Sequence, residues 1–264
     1  MNDLHCILLQ TDIVWRNPET NRSRYEKAFH ELPDSYDLVV LPEMCMTGFD
    51  TGSSDLAEEM GGKSCTFFRE QAQLHHTAIA AGLAIREQDK TYNRFLWSFP
   101  DRRQCHYDKR HLFRMGSETA LYSAGSDTPV ISYKGWKLLP QTCYDLRFPI
   151  SCRNRYQNGT FRYDVLVIAA NWPAARKEAM MTLARARAIE NLAYVLLANR
   201  TGTDGNGLTY SGNSMIINFK GETVADLPEN SEGFLSAHLS LESLENFREK
   251  FPVHLDWDNV MADF

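Results

Sequence analysis

Uninterrupted apolar runs constrain the fold of this 264-residue chain more than any other sequence feature. The runs LVVL (38–41), VLVIAA (165–170) and YVLLA (194–198) contain no charged residue and show no alternation. A strand with one face in water alternates apolar and polar side chains, whereas a strand covered on both faces does not. These runs therefore predict strands in the interior of a layered protein, with other elements packed on both faces.

Apolar, β-branched runs and the helical spacing of apolar residues predict strands and helices in alternation, which indicates an α/β architecture. The predicted strands comprise residues 4–9, 38–41, 78–85, 95–99, 136–139, 165–169, 194–198, 214–219 and 234–238. The predicted helices comprise residues 23–31, 65–74 and 177–191.

The composition favours one domain and gives no sign of a nucleic-acid or membrane partner. Hydrophobic residues make up 43% of the chain, which is enough for one sizeable core, and no repeat or flexible linker divides it. We therefore expect a single domain over residues 1–264. The net charge of −6 provides no basic surface for nucleic acid or an anionic membrane, so we expect neither as a partner.

The sequence contains no targeting or membrane-spanning signal. The N-terminal segment MNDLHCILLQTDIV lacks a basic start, a long apolar run and a small-residue cleavage site, so we expect no signal peptide. The six cysteines form no CxxC pair and are irregularly spaced, which predicts free thiols and neither disulfides nor a zinc site. Together these features predict a cytoplasmic protein.

Three polar residues follow predicted strands, at positions where the catalytic groups of α/β proteins collect. Glu43 comes directly after DLVVLP, Lys109 lies in HYDKRHLF, and Cys143 ends the run GWKLLPQTC. Taken singly, each has an ordinary structural interpretation: a cap, a solvated charge and a small core residue, respectively. Taken together, they supply the groups that hydrolysis of an amide requires.

An amide is a poor electrophile, so its hydrolysis needs an activated nucleophile and a stabilised oxyanion. A buried glutamate such as Glu43 suits the transfer of a thiol proton, because burial raises a carboxyl pKa. The ammonium of Lys109 is suited to stabilise first the Cys143 thiolate and then the oxyanion. The backbone N–H of Tyr144, directly after the nucleophile, is a second candidate oxyanion donor. This chemistry requires no metal and no organic cofactor.

The segments LPEMCMTGF, YDKRHLF and TCYDLRFP together resemble the three signatures of the nitrilase-like carbon–nitrogen hydrolase superfamily. The segments AANWP, RARAIEN, ANRTGTDGNG and SGNSMIIN extend the resemblance over nearly the whole chain. It implies a four-layer α-β-β-α sandwich of two mixed, mainly antiparallel six-stranded sheets. It also implies homodimers formed through helices next to the active site, with a higher homo-oligomer as the alternative. It also implies that Glu43 is the base, Cys143 the nucleophile and Glu118 a second catalytic glutamate beside Lys109. The alternative interpretation of Glu118 is a surface charge.

The residues after the nucleophile narrow the range of substrate classes. Nitrile-hydrolysing members have Trp-Glu there, whereas this chain has Tyr144-Asp145. CYDLRFP, KRHLFRM and NWPAAR instead resemble bacterial ω-amidases, which act on 2-oxo acid monoamides such as 2-oxoglutaramate. The substrate carboxylate needs a cation, for which Arg147 and Arg114 are candidates; the alternative for each is an ion pair with a neighbour such as Asp145. Trp172 is a candidate wall residue, with simple core burial as its alternative.

Other functions remain open from sequence alone. The superfamily also contains amidases for N-carbamoyl amino acids, aliphatic amides and deaminated peptides. A catalytically silent binding protein and a metal-dependent hydrolase are further alternatives, although the eight histidines form no HExxH or comparable cluster and we expect no metal. Residues 151–162 (SCRNRYQNGTFR) form a polar segment that we expect to be a surface insertion.

Overall fold

The computed structural model describes residues 3–33, 35–50 and 52–258. The predictions for the N-terminal segment and for a domain over 1–264 fall partly outside these ranges, at residues 1–2, 34, 51 and 259–264. The described strands are β1 (Leu4–Gln10), β2 (Leu38–Val40), β3 (Ala78–Glu87), β4 (Lys90–Ser98), β5 (Gln104–Asp108), β6 (Ile131–Tyr133), β7 (Trp136–Thr142), β8 (Tyr156–Gln157), β9 (Thr160–Phe161), β10 (Val165–Ala170), β11 (Tyr194–Asn199), β12 (Thr201–Thr203), β13 (Thr209–Ser211), β14 (Met215–Ile217), β15 (Thr223–Asp226) and β16 (Gly233–Leu239).

The described α-helices are α1 (Pro18–His30), α2 (Lys63–Leu74), α3 (Glu118–Leu121), α4 (Pro149–Cys152), α5 (Lys177–Asn191) and α6 (Leu241–Lys250). Short 3₁₀ turns cover Cys143–Arg147, Ala174–Arg176 and Val253–Asp256. None of these helices has the length and apolar character needed to span a lipid bilayer.

Two six-stranded mixed sheets form the centre of the protein. The first has the strand order β16-β1-β2-β3-β4-β5, and the second has the order β15-β14-β11-β10-β7-β6. Strands β1, β2 and β3 of the first sheet are parallel, as are β7, β10 and β11 of the second. The remaining pairings in both sheets are antiparallel. The predicted α/β fold with two mixed six-stranded sheets is confirmed.

The inner faces of the two sheets share one core. Leu8, Val40 and Ala80 of the first sheet belong to the same buried cluster as Val167 and Leu196 of the second. Burying a side chain of valine or leucine size contributes about 1.5–3 kcal/mol, so this layer is the main apolar contribution that holds the sheets together.

The outer face of each sheet is covered by helices. Val39 packs in one buried cluster with Phe29 of α1 and Phe68 of α2. Ile168 packs in another with Met180 of α5. Every side chain of β2 and β10 is therefore buried, and this double coverage is the physical reason for the uninterrupted apolar runs.

Elements that the sequence did not predict lie at sheet edges or on the surface. Strands β5, β6 and β15 are terminal strands of their sheets, and their partly exposed side chains include polar groups, so no apolar run marks them. In α6, the buried residues are Leu244 and Arg248, which is too few for a clear helical pattern. Residues 151–162 include the end of α4 and the small hairpin of β8 and β9.

Candidate active site

A cavity of about 370 Å³ opens where β7 and β10 end. These strands are parallel neighbours, so Cys143 after β7 and Asn171 after β10 reach the same edge of the second sheet. Lys109, directly after β5 of the first sheet, lines the same cavity. The lining residues combine aromatic and apolar groups with a few polar ones: Phe49, Lys109, Phe113, Met115, Gly116, Cys143, Tyr144, Arg147, Asn171, Trp172, Pro173, Arg176, Asp204, Asn206, Leu208 and Tyr210. In the described part of the chain, no group of three or more His, Cys, Asp or Glu side chains is placed to hold a metal ion.

Cys143 lies at a sharp turn between β7 and the 3₁₀ turn that follows. Its φ of 44° is in the left-handed region, which costs a residue with a Cβ about 1–3 kcal/mol. The fully buried Asp145 holds this turn. Its carboxylate accepts hydrogen bonds from the backbone N–H of Thr142 at 3.0 Å, the hydroxyl of Tyr107 at 2.8 Å and the backbone N–H of His111 at 2.9 Å. The strained conformation at Cys143 is therefore supported from outside the turn as well as within it.

Glu43 is completely buried in the segment after β2. Its Oε1 accepts hydrogen bonds from Lys109 Nζ at 2.8 Å and from Asn93 Nδ2 at 2.7 Å. Its Oε2 accepts the backbone N–H of Asn171 at 3.0 Å. Gly82 of β3 permits this placement, because a Cβ at that position would come within 2.6 Å of the Glu43 Cα. Glu43 thus contacts the segments that follow β5 and β10.

Glu118, the first residue of α3, is a second buried carboxylate beside Lys109. Its oxygens lie 3.1 and 3.0 Å from Lys109 Nζ. Asn93 Nδ2 donates to Glu118 Oε1 at 2.8 Å as well as to Glu43, so one amide bridges both carboxylates. The backbone N–H of Phe113 donates to Glu118 Oε2 at 2.6 Å. Lys109 and Asn93 therefore separate two carboxylates that would otherwise repel each other.

Burial and neighbouring charges set the protonation of this cluster. Burial raises the pKa of the Cys143 thiol well above its ordinary value; Glu43 adds to the rise and Lys109 opposes it. Burial also raises the pKa of Glu43, against the attraction of Lys109. For Lys109 itself, burial disfavours the charge, but Glu43 and Glu118 outweigh it and raise the pKa of the ammonium.

The charge balance of the cluster decides where the thiol proton goes. With Glu43 and Glu118 ionised and Lys109 protonated, the cluster carries one net negative charge. Loss of the Cys143 proton to solvent would add a second negative charge at a buried site, which is costly. Transfer of the same proton to Glu43 leaves the net charge unchanged. The arrangement therefore favours proton exchange between thiol and carboxylate.

The structure brings three of the four predicted substrate-binding residues to the cavity: Tyr144, Arg147 and Trp172. The guanidinium carbon of Arg147 lies 4.7 Å from the centroid of the Trp172 ring, and Trp172 is also buried in the core. Arg114 is not brought to the cavity, because it lies exposed in the turn before α3. Neither predicted arginine forms an ion pair with Asp145, whose ion-pair partner among the described residues is His111.

Sequence reasoning missed three polar residues of the site. Asn93 lies inside β4, which begins five residues before the strand predicted over 95–99. A single polar residue at such a position looks like the exposed face of a strand. Asn171 and Arg176 both belong to motifs that carried the family resemblance, so a signal was present but assigned no role. Arg176 lines the cavity with its guanidinium carbon 5.5 Å from the centroid of the Phe113 ring.

A thiol, an ammonium and two carboxylates at one cavity between two sheets define a class of enzymes that cleave carbon–nitrogen bonds. The chain belongs to the carbon–nitrogen hydrolase family, which it matches over residues 8–249. Omega-amidase YafV of Yersinia enterocolitica is 40% identical to it over 261 residues, with 99% of both chains covered. The 2-oxoglutaramate amidase of Bacillus subtilis is 33% identical, with 97% of this chain and 96% of the relative covered.

Solved structures share the fold. A CN-hydrolase superfamily protein from Xanthomonas campestris, with an arsenic adduct in its active site, has a TM-score of 0.97 and 40% identity and covers 99% of this chain and 100% of its own. Nit3 of Saccharomyces cerevisiae has a TM-score of 0.80 at 24% identity and covers 96% of this chain and 95% of its own. The predicted superfamily, fold class and enzyme class, a hydrolase acting on amides, are confirmed.

Proposed function

We propose that the chain is an ω-amidase, which hydrolyses the terminal amide of a 2-oxo dicarboxylic acid monoamide, such as 2-oxoglutaramate, to the acid and ammonia. The observation that carries the proposal is the buried cluster of Glu43, Lys109 and Glu118 beside Cys143, in a cavity that also contains Arg147. The relatives named Omega-amidase and 2-oxoglutaramate amidase support the same substrate class.

In the acylation half of the proposed reaction, Glu43 accepts the thiol proton while Cys143 Sγ attacks the amide carbon. The carbonyl electron pair moves to oxygen, and Lys109 Nζ and the backbone N–H of Tyr144 stabilise this oxyanion. The tetrahedral intermediate then collapses. Glu43 donates its proton to the nitrogen, the C–N bond breaks, ammonia leaves and a thioester remains on Cys143.

In the deacylation half, Glu43 removes a proton from the water that attacks the thioester carbon. The same two donors stabilise the second oxyanion. The C–S bond breaks, the sulfur recovers the proton from Glu43, and the acid leaves. Glu118 contacts Lys109 Nζ through both of its oxygens, so we assign it the positioning of the ammonium.

The substrate carboxylate is bound by Arg147 in this proposal. Arg147 has no ion-pair partner among the described residues, so its charge is available to a ligand. The contact with the Trp172 ring restricts the guanidinium at the cavity wall. A bidentate arginine–carboxylate contact would fix the distal end of the substrate while the amide lies at Cys143.

A panel assay of ammonia release tests the proposal. The substrates are 2-oxoglutaramate, glutamine, an N-carbamoyl amino acid and a simple aliphatic amide, and Cys143→Ala is the control. We expect the highest kcat/KM with 2-oxoglutaramate and no release by the control. A higher kcat/KM with another substrate would assign a different amidase, and no ammonia from any amide would indicate a silent binding protein. Mass spectrometry should detect a hydroxylamine-labile acyl adduct on Cys143 during turnover.

We also propose that the chain forms one domain, assembles as a homodimer and acts in the cytoplasm. The exposed side chains of Ile150 on α4 (50%) and Ile189 on α5 (53%) support a dimer, because both helices lie close in sequence or space to the nucleophile turn. Light scattering of the purified protein should give twice the mass of 30.2 kDa, and cell fractionation checks the location.

A further inference from the structure

A second arginine, Arg176, lines the cavity in addition to Arg147. It ends the 3₁₀ turn Ala174–Arg176 directly before α5, so it reaches the cavity from the connection that follows β10. Its guanidinium carbon lies 5.5 Å from the centroid of the Phe113 ring, and no carboxylate among the described residues pairs with it. Two guanidinium groups in one cavity are more than a single carboxylate contact requires.

The charges around the cavity leave both arginines available to a ligand. The ammonium of Lys109 is already paired with Glu43 and Glu118. The only carboxylate among the described lining residues, that of Asp204, is occupied internally. Its Oδ1 accepts the backbone N–H groups of Asn206 at 2.8 Å and Leu208 at 3.0 Å, and its Oδ2 accepts the Tyr210 hydroxyl at 2.9 Å.

The two arginines belong to one connected wall. Arg147 stacks on Trp172, and Trp172 Nε1 donates a hydrogen bond to the Arg176 carbonyl at 2.9 Å. The guanidinium of Arg176 lies over the ring of Phe113. The Phe113 and Tyr144 rings meet edge to face, with their centroids 5.3 Å apart and an interplanar angle of 83°. Tyr144 directly follows the nucleophile. Each guanidinium thus lies over an aromatic ring, and within the described ranges no carboxylate pairs with it.

We propose that Arg176 is a specificity-determining residue that binds the 2-oxo group of the substrate, while Arg147 binds the adjacent carboxylate. This inference rests on the proposed ω-amidase function. A 2-oxo acid presents three oxygen acceptors at one end, two on the carboxylate and one on the neighbouring carbon. One guanidinium fork satisfies the carboxylate, and the second guanidinium supplies donors for the third oxygen.

The same wall discriminates against 2-amino acid amides. An ammonium in place of the 2-oxo group would face the guanidinium of Arg176, and the one carboxylate among the described lining residues, that of Asp204, is held by three hydrogen bonds within its own segment. Like charges placed together in a partly enclosed cavity repel strongly. Repulsion by Arg176 is therefore expected to disfavour glutamine and asparagine as substrates.

Steady-state kinetics with three substrates tests this assignment. 2-Oxoglutaramate carries the carboxylate and the 2-oxo group, glutaramate carries only the carboxylate, and pentanamide carries neither. The variants are Arg176→Gln, Arg176→Lys and Arg147→Gln, with Arg114→Gln as the matched comparison, since it removes an exposed arginine that does not line the cavity. The rate of Cys143 alkylation by iodoacetamide reports in each variant whether the nucleophile site is intact.

We expect Arg176→Gln to raise the KM for 2-oxoglutaramate by about 10-fold or more, the range for loss of a hydrogen bond to a charged group. The KM for glutaramate should rise much less, and neither the hydrolysis of pentanamide nor the alkylation rate of Cys143 should change. Arg176→Lys should recover part of the lost affinity for 2-oxoglutaramate. Arg147→Gln should raise the KM for both 2-oxoglutaramate and glutaramate. Arg114→Gln should change neither KM.

Three results with Arg176→Gln would overturn the assignment. They are an unchanged KM for 2-oxoglutaramate, equal rises in KM for 2-oxoglutaramate and glutaramate, and slower hydrolysis of pentanamide. Failure of the ω-amidase proposal itself is visible separately, in the wild-type protein. It would appear as hydrolysis of pentanamide at least as efficient as that of the two acids, before any variant is compared.

Discussion

The two ends of the cavity are held together by different kinds of contact. At the catalytic end, Glu43, Glu118 and Asn93 are fully buried, and both carboxylates accept hydrogen bonds of 2.7–3.1 Å from Lys109 Nζ and Asn93 Nδ2. At the rim, arginines lie over aromatic rings, and apolar groups such as Met115 are 70% exposed. A hydrogen-bonded cluster fails when one partner is lost, whereas ring contacts tolerate change. The chemistry should therefore be sensitive to substitution and the substrate preference adjustable.

The most severe test at the catalytic end is Cys143→Ala. Without the sulfur no thioester forms, so we expect kcat for 2-oxoglutaramate to fall by about 10⁴-fold or more, as for removal of other nucleophiles. The melting temperature should stay near that of the wild type, because a methyl group fits where the thiol was. Cys152→Ala, at a buried cysteine outside the cavity wall, is the control for activity. Substantial turnover by Cys143→Ala would refute the assigned nucleophile.

Lys109→Ala removes the cation between the two carboxylates. The oxyanion loses a charged donor, and we expect kcat to drop by at least about 10²-fold. The two buried carboxylates are then left without their cation, which raises the pKa of Glu43 further, because Lys109 lowers it. Thermal unfolding should show a clear loss of stability as well. A Lys109→Ala protein with normal kcat would show that the oxyanion is stabilised without the ammonium.

Asn93→Ala tests the bridging amide, which contacts no substrate. Loss of two hydrogen bonds to carboxylates should lower kcat about 30-fold, equivalent to about 2 kcal/mol. Because the Asn93 amide lowers the pKa of Glu43, the acid limb of the kcat/KM profile should also move to higher pH. A purely structural residue would change stability without this shift. The KM for 2-oxoglutaramate should stay within a few-fold of the wild type, in contrast to Arg176→Gln.

The acid limb of the wild-type kcat/KM profile measures the environment of Glu43 directly. Only ionised Glu43 accepts the thiol proton, and burial raises its pKa above the ordinary 4.5. Activity is therefore present above this raised pKa and falls as pH drops through it, by about tenfold per pH unit below it. The profile should show its midpoint above pH 4.5. A midpoint at or below the ordinary glutamate value would contradict the buried position of the base.

The substitution with the smallest expected effect is Trp172→Phe, at the rim of the cavity. Trp172→Phe keeps an aromatic ring beneath Arg147 but removes the Nε1 hydrogen bond to the Arg176 carbonyl. Loss of one such bond is worth about 1 kcal/mol, so we expect KM for 2-oxoglutaramate to rise about fivefold with little change in kcat. A loss of kcat comparable to that of Lys109→Ala would show that the rim and the catalytic end are not independent.

The same contrast explains what the sequence could predict. Glu43 follows the fully buried strand β2 by three positions, Cys143 comes directly after the mostly buried strand β7, and such strands are recognisable as apolar runs. Asn93 lies within a strand and gains its role from carboxylates 50 and 25 positions away, which no local pattern reveals. Arg114, predicted from sequence to bind the substrate carboxylate, illustrates the same limit. Arg114 is near Lys109 in sequence, yet the arginine that lines the cavity beside Arg147 is Arg176, which lies on the connection after β10.

Asp145 joins the two halves of the molecule at the point where the reaction takes place. Tyr107, on β5, belongs to the first sheet, whereas Thr142 ends β7 of the second, and both donate to this one carboxylate. Lys109 and Cys143 each lie within two positions of these donors. A folding intermediate with only one sheet assembled accordingly has no competent centre. Catalytic reactivity therefore depends on the packing of the two sheets against each other.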